Sequence, residues 1–386
     1  MTPVPLSCLG RPRGFRGPVI GRVTTTSLLE GRGEAILVGD ERPAPGYAGI
    51  LTKGELRESL LPPDTPVIDR ASSVSHLRDG DVVRMEPRGV VRTLFRSASH
   101  HNALLLTERC NSNCLMCSQP PKDRDDRYLA DEALAVVRLI DPQKTEWLCL
   151  TGGEPTLLGE RFLDLIELCR DHLPRTHVHV LSNGRRFAEP AWTAAVASIG
   201  HPNLTFGVPL YAPIPEIHDF IVQSRGAFDE TMIGLHQMAH RGLRVELRTV
   251  LHRQTIPHLR GLADYVFRNL TFVEHVALMG LEPMGYVRKN WELLWIDPLD
   301  YQQELESAAR FLHLAGMNVS IYNLPLCVLP RVLWRFARQS VSDWKNIFLP
   351  ECTRCTERER CAGLFASANL RHSRGIRPIL SGTAGR

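Results

Sequence analysis

Three cysteines with short spacings could hold a metal centre. Cys110, Cys114 and Cys117 lie in residues 107–117, called the cysteine loop below, which follows an apolar run at 103–106. Three thiolates on one short loop can bind three irons of an iron-sulfur cubane and leave the fourth iron open for chemistry. Structural zinc sites use similar spacings. Zinc would need a fourth cysteine or histidine close by, however, and residues 118–122 supply none.

A glycine pair and a carboxylate follow the next apolar run. Gly152, Gly153, Glu154 and Pro155, called the glycine-glutamate segment, come directly after residues 147–150. Two glycines let the backbone approach a ligand closely, and a carboxylate beside them can accept hydrogen bonds from a charged amine. The same residue pairs are common in ordinary strand-to-helix turns. The position of the segment, one strand-helix unit after the cysteine loop, favours a role at the same site.

A third short motif ends the following apolar run. Ser182, Asn183 and Gly184, called the Ser-Asn-Gly turn, come after residues 178–181. Asn-Gly is by itself a standard turn sequence, so this motif is weak alone. In folds built from repeated βα units, chemistry lies on the loops at the carboxyl ends of the strands. We therefore expect all three motifs to meet at one edge of a sheet.

The elements that position these motifs alternate between strand and helix. The patterns predict strands over residues 103–106, 146–150, 178–181, 204–209, 244–251 and 273–278. They predict helices over residues 129–140, 160–172, 190–199, 228–241 and 257–269. This alternation is typical of an α/β fold with a parallel sheet, and six repeats predict a partial (β/α)6 barrel that is open on one side.

The rest of the chain divides into three parts by composition. Residues 1–20 offer little to bury, so we expect them to be disordered. Residues 21–98 alternate short apolar runs with turns at 78–81 and 87–89, which predicts a small β-rich module with hairpins. The core is expected over residues 99–316. Residues 317–386 form a cysteine-rich C-terminal extension with a flexible tail.

Composition limits the classes of function. The net charge of +4 is small and the basic residues are interspersed with acidic ones, so no nucleic-acid partner is indicated. No apolar stretch approaches the roughly 20 residues of a membrane span, and the N-terminus does not resemble a secretory signal, so we expect a cytoplasmic protein without a membrane partner. Ten cysteines in a reducing compartment suggest metal binding rather than disulfides. Cys8, Cys149 and Cys169 stand apart, and the last two are expected to be buried fillers.

A second group of cysteines lies near the C-terminus. It consists of Cys327, Cys352, Cys355 and Cys361. Four thiolates, three from one segment and one from upstream, could close around an auxiliary iron-sulfur cluster or around one tetrahedral zinc. Fully ligated in this way, a cluster could pass electrons or shape a substrate site.

The cysteine loop and the glycine-glutamate segment together resemble the radical S-adenosylmethionine (radical SAM) superfamily. The resemblance implies a 4Fe-4S cluster whose open iron chelates SAM, and an electron donor such as flavodoxin or ferredoxin that drives cleavage to a 5′-deoxyadenosyl radical. It implies that residues 152–155 bind the methionyl amino group of SAM and that residues 182–184 contact its ribose or carboxylate. Met116 occupies the position that packs on the adenine and is usually aromatic, although packing within the loop is the alternative. Arg248 and Thr249, at the end of the fifth predicted strand, are expected at the same edge, with a core or surface role as the alternative, and no catalytic acid or base is assigned.

A finer resemblance lies in residues 114–122, 322–327 and 340–346. These segments look like the C-type radical SAM maturase of the His-Xaa-Ser repeat peptide system. This implies a ribosomally made peptide as substrate, a second radical SAM maturase as a partner, and iron-sulfur rather than zinc at the C-terminal cysteines. Two other functions stay open. One is a radical SAM enzyme acting on a small molecule or cofactor precursor, and the other is a non-catalytic zinc or scaffold protein with this fold.

Overall fold

The computed structural model describes residues 6–26, 32–39, 46–56, 65–339, 346–369 and 371–381, and its N-terminal part forms a sheet of eight short strands. The strands are β1 (Ser7–Leu9), β2 (Arg11–Arg13), β3 (Val19–Thr24), β4 (Ala35–Val38), β5 (Gly49–Leu51), β6 (Val67–Asp69), β7 (Val82–Met85) and β8 (Val90–Phe95). Their spatial order is β1-β8-β7-β3-β4-β5-β6-β2. As predicted, residues 87–89 turn the chain between the antiparallel strands β7 and β8.

Two expectations for this part of the chain are wrong. Residues 6–20 are not disordered, because β1 pairs with β8 and β2 pairs with β6. The turn at 78–81 does not close a hairpin, since β7 pairs with β8 and β3, and the Gly80 N–H donates to the Val23 carbonyl at 3.0 Å. In both cases the hydrogen-bond partners lie far away in sequence, where local patterns carry no information.

The central layer is a parallel sheet of seven strands. These are β9 (Asn102–Leu105), β10 (Trp147–Thr151), β11 (His177–Leu181), β12 (Leu204–Pro209), β13 (Arg244–Leu251), β14 (His275–Gly280) and β15 (Val319–Tyr322). They follow one another in space in sequence order. The six predicted strands are all present, and β15 continues the sheet past residue 316, where the core was expected to end. In the described residues β9 and β15 are the two edges of this sheet, which is therefore open.

Helices connect the strands of this sheet. They are α1 (Arg127–Leu139), α2 (Glu160–His172), α3 (Pro190–Ile199), α4 (Pro215–Val222), α5 (Ala227–His240), α6 (Leu259–Asn269), α7 (Trp291–Leu294) and α8 (Gln302–Leu314). The predicted bounds of α2 and α3 are those observed. Helix α3 shows why: Pro190 suits its first turn, and Gly200 takes the left-handed conformation that ends it. Helices α4, α7 and α8 were not predicted.

Polar and apolar side chains alternate along the first part of β13, so they lie on opposite faces of the sheet. Val245 and Leu247 are buried against the helical layer in the main hydrophobic core. Glu246 and Arg248 point to the opposite, inner face, where they form an ion pair at 2.6 Å. The apolar face holds the helices, and the inner face is left to polar groups.

The N-terminal sheet packs on the core through α1. Arg84 in β7 donates to Glu132 in α1 at 2.7 Å, and Val82 and Phe95 belong to the same apolar core as Leu104 in β9. Among the described helices, none is both long and apolar enough to span a membrane.

Candidate functional site

The cysteine loop connects β9 to α1 and is fixed at its start by a buried carboxylate. Asp126, the residue before α1, has no solvent exposure and accepts a hydrogen bond from the Thr107 hydroxyl at 2.8 Å. The Arg109 Nε lies 3.5 Å from its other oxygen. A buried carboxylate is costly unless it is paired, so these contacts favour one fixed position for the start of the loop.

Backbone hydrogen bonds hold the loop from two further sides. Asn113 and Leu115 donate to the carbonyls of the last residues of α4 at 3.0 and 2.9 Å. The Tyr286 N–H donates to the Cys117 carbonyl at 2.9 Å. Gly285 allows this approach, because a Cβ there would lie 2.2 Å from the same carbonyl oxygen. Elements after β12 and β14 thus help to shape the loop.

The three thiols of the loop are partly shielded from water. Burial raises the pKa of Cys110 to about 11 and that of Cys114 to about 12, and it also raises the pKa of Cys117. Within the described chain, no three metal-ligating side chains converge on one point as they would around a single ion. Metal ligation requires thiolates, which these surroundings disfavour unless a positive centre is bound. The donor set therefore fits a group that brings its own positive charge, as the irons of a cluster do.

The two glycines of the glycine-glutamate segment accommodate the cysteine loop. Gly153 donates to the Thr107 carbonyl and Glu154 to the Arg109 carbonyl, both at 2.8 Å. A Cβ on Gly153 would lie 2.2 Å from the Arg109 oxygen, and one on Gly152 would lie 2.6 Å from the Thr107 oxygen. Close approach was predicted to serve a ligand, whereas the contact found is between two loops of the protein.

Glu154 joins the strand-end loops after β10 and β11. Its side chain is fully buried, and its Oε1 accepts from the Thr156 N–H, the Thr156 hydroxyl and the Ser182 hydroxyl at 3.0, 2.7 and 2.8 Å. Its Oε2 accepts from the Asn183 N–H at 2.6 Å. Burial raises the pKa of Glu154, while these hydrogen bonds lower it. Pro155 is buried and begins a short 3-10 helix.

The Ser-Asn-Gly turn also contacts the cysteine loop. Asn183 donates from its side chain to the Asn111 side-chain oxygen at 2.6 Å, and Gly184 has a positive φ of 79°. A Cβ on Gly184 would lie 2.8 Å from a Val208 methyl carbon. The structure therefore brings all three predicted motifs together at the carboxyl edge of the sheet.

Arg185 is a site residue that sequence reasoning missed. Its guanidinium donates to the Asn111 carbonyl at 2.5 Å and to Glu230 in α5 at 2.6 Å. It also contacts the Ser112 and Ser224 hydroxyls at 3.1 and 2.9 Å, so it links the cysteine loop to α5. The arginine lowers the pKa of the neighbouring thiols Cys110 and Cys114, although burial dominates there. The available signal was its position directly after the Ser-Asn-Gly turn.

Met116 is buried in a small apolar cluster. Its neighbours there include Tyr211 and Ile221, which follow β12, and Val287, which follows β14. Packing within the loop, the alternative interpretation of this residue, agrees with this placement. Thr249 is also buried and donates to the Leu210 carbonyl at 2.7 Å, whereas Arg248 faces inward.

The inner face of the sheet carries a charged group near the opposite ends of the strands. Glu246 accepts from His275 at 2.7 Å and lies 3.6 Å from the His179 Nε2. Burial raises the pKa of Glu246, but the His275 hydrogen bond and the Arg248 charge outweigh it and lower the value to about 2. Burial lowers the pKa of His179 to about 4. Cys149 lies on the same inner face half-buried, while Cys169 is fully buried in the core as predicted.

The four C-terminal cysteines line one pocket. Cys327, Cys352, Cys355 and Cys361 are among the lining residues of a pocket of about 390 Å³, together with apolar neighbours such as Ile347 and Ile379. Cys361 accepts N–H···S hydrogen bonds from Leu326 and Gly363, and Cys355 accepts one from Ile379, all at 3.4 Å. Backbone N–H groups aimed at sulfurs tune iron-sulfur clusters. The pocket therefore fits such a group.

Comparisons with known proteins match the central part of the chain. Residues 104–266 match the model of the radical SAM superfamily. Molybdenum cofactor biosynthesis protein 1 of Bos taurus is 28% identical over 149 residues, which are 37% of this chain and 23% of that protein. Fe-coproporphyrin III synthase of Methanosarcina barkeri is 26% identical over 161 residues, which are 41% of this chain and 39% of that protein.

One solved structure aligns with part of the chain. SuiB of Streptococcus suis bound to S-adenosylmethionine aligns with a TM-score of 0.47 and 14% identity, and covers 57% of this chain and 49% of that chain. The matched parts amount to less than half of each of these three proteins.

The matched segment holds the cysteine loop, the glycine-glutamate segment and the Ser-Asn-Gly turn. It is a radical SAM segment in an α/β fold with a parallel sheet. The match covers less than half of the chain, so the similarity to the radical SAM superfamily is a statement about residues 104–266.

Proposed function

We propose that the protein reductively cleaves S-adenosylmethionine at the cysteine loop and uses the radical to modify a ribosomally made peptide. The observation that carries the first part is that the loop with three shielded thiols lies beside Glu154 and Asn183 at one edge of the sheet. When bound, the 4Fe-4S cluster and S-adenosylmethionine supply a 5′-deoxyadenosyl radical that abstracts a hydrogen atom. Flavodoxin or ferredoxin is the expected electron donor.

The residues of the chain hold and orient the reactants. Cys110, Cys114 and Cys117 bind the cluster as thiolates. A carboxylate has about four acceptor sites. Glu154 uses three hydrogen bonds on Oε1 and one on Oε2, which leaves Oε2 able to receive an ammonium group. The Asn183 N–H of the Ser-Asn-Gly turn orients that oxygen, and the turn would contact the ribose or carboxylate, while Met116 packs in an apolar cluster and holds the cysteine loop.

The peptide substrate is supported by the C-terminal region. Its four cysteines line one pocket, where we favour a second iron-sulfur cluster over zinc. Such a cluster would suit an enzyme better than a scaffold protein. The resemblance in residues 114–122 and 322–327 points to the His-Xaa-Ser repeat system, where a second radical SAM maturase would be a partner. The third resembling segment, 340–346, lies outside the described residues except for Asn346.

A cofactor precursor is the second candidate substrate. It is favoured by the names of the curated relatives, one of them a molybdenum cofactor biosynthesis protein and the other an Fe-coproporphyrin III synthase. These similarities concern the same central part of the chain that carries the radical SAM motifs. They fit this alternative as well as they fit a peptide.

Replacing each loop cysteine tests the cleavage reaction. Cys110→Ala, Cys114→Ala and Cys117→Ala should each abolish 5′-deoxyadenosine formation by the anaerobically reconstituted protein, because a cubane held by two thiolates is not retained. Cys8→Ala, in the N-terminal sheet, is the matched control and should keep both iron and activity. Deoxyadenosine production by any of the three loop variants would contradict the proposal.

The substrate is tested separately with the wild-type protein. A His-Xaa-Ser repeat peptide should change in mass only when S-adenosylmethionine and reductant are present. If the peptide stays unchanged while a nucleotide or tetrapyrrole precursor is converted, the second candidate is correct.

A further inference from the structure

A segment that follows the last cysteine forms one wall of the four-cysteine pocket. Residues 373–379, called the strap below, contribute Ile376, Arg377 and Ile379 to the lining of that pocket. The four cysteines lie within residues 327–361, so the strap is a separate piece of chain that passes the pocket after them. It forms neither helix nor strand. The pocket is therefore incomplete without a segment that contributes no cysteine.

The strap directs backbone N–H groups at two of the four sulfurs. The Ile379 N–H donates to the Cys355 Sγ at 3.4 Å, and the Ile379 carbonyl accepts from the Thr356 N–H at 2.8 Å and from the Thr356 hydroxyl at 3.0 Å. Burial raises the pKa of Cys327, and a hydrogen bond from the Arg377 N–H lowers it. N–H donors stabilise sulfur that carries negative charge, as it does when it binds a metal. The strap thus contacts the same groups that would hold a metal centre.

The other end of the strap is anchored to the core by two carboxylates. Ser373 is buried and donates from its hydroxyl to Asp297 Oδ1 at 2.7 Å, while the Arg374 N–H donates to Asp297 Oδ2 at 2.9 Å. The Arg374 guanidinium donates to Asp300 at 2.9 Å and lies 3.3 Å from Asp297. These contacts, called the anchor below, join the strap to the residues just before α8.

The anchor and the Ile379 contacts hold the strap at its two ends. Asp297 is 8% exposed, so its hydrogen bonds contribute more to the anchor than the exposed ion pair of Arg374 with Asp300. Residues 375–378, between the two ends, are half-buried or exposed. A segment held in this way, without a ladder of backbone hydrogen bonds, opens by local unfolding at a lower free energy than the core does. Release of the anchor would therefore uncover the pocket and leave the core folded.

We infer that the strap closes the four-cysteine pocket over a bound metal centre while Ser373 and Arg374 hold it to Asp297, and that its release from this anchor lets metal enter or leave. Metal binding favours the closed form, because thiolates accept N–H hydrogen bonds more strongly than neutral thiols do. The anchor shares no residue with the cysteines, so access is controlled from outside the metal site. The inference rests on the second metal centre of the proposed function and adds the means by which that centre is reached.

Thiol labelling of the metal-free, full-length protein tests the strap without any cofactor. Modification of each cysteine by iodoacetamide is followed by peptide mass spectrometry in wild type and in the double variant Ser373→Ala/Arg374→Gln. Cys327 and Cys355, which the strap contacts, should react about tenfold faster in the variant, which corresponds to the loss of one hydrogen bond to a charged group. Cys110 in the cysteine loop is the internal reference and should react at the same rate in both proteins.

Two further variants separate the anchor from the simple loss of a charge. Arg310→Gln removes an exposed arginine that pairs with Glu306 at 2.9 Å on α8, and it should leave the labelling rates unchanged. Arg374→Lys, with Ser373 intact, keeps a cation beside Asp297. Its labelling rates should stay within about twofold of wild type, because exposed ion pairs contribute little.

The metal-loaded protein gives a second readout. Anaerobically reconstituted wild type and double variant are incubated with EDTA, and the iron and zinc that remain bound are measured after desalting. Metal that is missing from Cys352→Ala belongs to the four-cysteine pocket. The double variant should lose this metal about tenfold faster than wild type, while the iron of the cysteine loop leaves at the wild-type rate.

Equal labelling of Cys327 and Cys355 in wild type and the double variant overturns the inference, as does equal loss of the C-terminal metal. Faster labelling of Cys110 as well also overturns it, because the anchor would then support the whole fold and not a strap. Failure of the proposed function gives different results. A wild-type protein without metal at the C-terminal cysteines would refute the second centre and the control of access to it, whereas absent deoxyadenosine would refute only the cleavage of S-adenosylmethionine.

Discussion

At the scale of single residues, Glu154 connects the candidate site to the fold. Each of its oxygens accepts a hydrogen bond from a backbone N–H, Oε1 from Thr156 and Oε2 from Asn183. The carboxylate thereby fixes the loop after β10 against the loop after β11. Any ammonium group placed on its remaining acceptor site would be positioned by both loops.

Glu154→Gln should lower the free energy of unfolding by about 1 kcal/mol. Only one end of the amide accepts, so either orientation leaves one buried backbone N–H unpaired, at a cost of about 1–3 kcal/mol. Burial raises the pKa of Glu154, so removing the charge recovers part of that cost. Urea unfolding measures the change. Glu167→Gln, at an exposed position of α2, is the control and should stay within about 0.5 kcal/mol of wild type.

A Glu154→Gln variant as stable as wild type would show that the carboxylate is not needed to join the loops.

The contrast between Glu154 and Arg185 shows what sequence can reveal about a site. Cysteine spacing and the glycine pair are local signals, and both predicted their place correctly. Arg185 acts through Asn111 and Glu230, which are distant in sequence, so its position after the Ser-Asn-Gly turn could not reveal these contacts.

At the scale of elements, the loops after β9 and β10 can approach each other closely only because Gly152 and Gly153 in the second loop have no Cβ. Gly153→Ala would place a Cβ 2.2 Å from the Arg109 carbonyl oxygen, where more than 3 Å is needed. Separating the loops would break the two hydrogen bonds between them, so we expect a loss of about 2 kcal/mol in unfolding free energy and a lower iron content after reconstitution.

Gly261→Ala in α6 is the control for this substitution. The nearest atom to its added Cβ would be a Pro213 carbon at 3.8 Å, so the helix should gain about 0.5–1 kcal/mol. Chemical unfolding and iron analysis of both variants check the pair. Normal iron and stability in Gly153→Ala would mean that the cysteine loop does not depend on this approach.

The inner face of β13 makes stability depend on pH. The folded pKa of Glu246, about 2, lies below the roughly 4.3 of an unfolded glutamate. Its ionised form therefore stabilises the fold above about pH 4.3, and this contribution disappears as the pH falls toward 2. Glu246→Gln should lower the free energy of unfolding by up to about 2 kcal/mol near pH 6. Its difference in unfolding free energy from wild type should become smaller as the pH falls from 4.5 to 3. Urea unfolding across this range measures it.

Exposed Glu274→Gln should show no such pH dependence of the unfolding free energy. A pH-independent difference between Glu246→Gln and wild type would contradict the assignment.

The longer elements were the ones that could be predicted from the sequence. The core helices and strands carry periodic apolar patterns, and their bounds were predicted within a few residues. Strand β15 and the strands of the N-terminal sheet are short, and long-range pairing stabilises them, so sequence periodicity either missed them or misjudged their partners.

At the scale of the whole molecule, the C-terminal segment is attached to the core by charge as well as by apolar packing. Ser373 donates to the Asp297 carboxylate at 2.7 Å, and Arg374 pairs with Asp297 and with Asp300. Ile379 reaches back to donate to the Cys355 sulfur. Ser373 and Arg374 therefore hold the described residues 371–381 to the core. The sequence singled out the four cysteines of this segment but could not predict its position beside the sheet, because that position depends on contacts between distant parts of the chain.

The two cysteine groups should bind their metal independently, since they lie in separate pockets. Cys352→Ala and Cys355→Ala should each lower the total iron of the anaerobically reconstituted protein while the cysteine loop keeps its cluster and forms deoxyadenosine without peptide. Cys8→Ala serves as the control for loss of a thiol outside both groups. Iron and zinc are measured by elemental analysis, and each cluster by electron paramagnetic resonance after reduction. Unchanged iron accompanied by a loss of zinc would assign the C-terminal pocket to zinc. Loss of all iron would show that the C-terminal pocket supports the first site structurally, because the segment containing Cys352 and Cys355 also packs beside the carboxyl edge of the sheet.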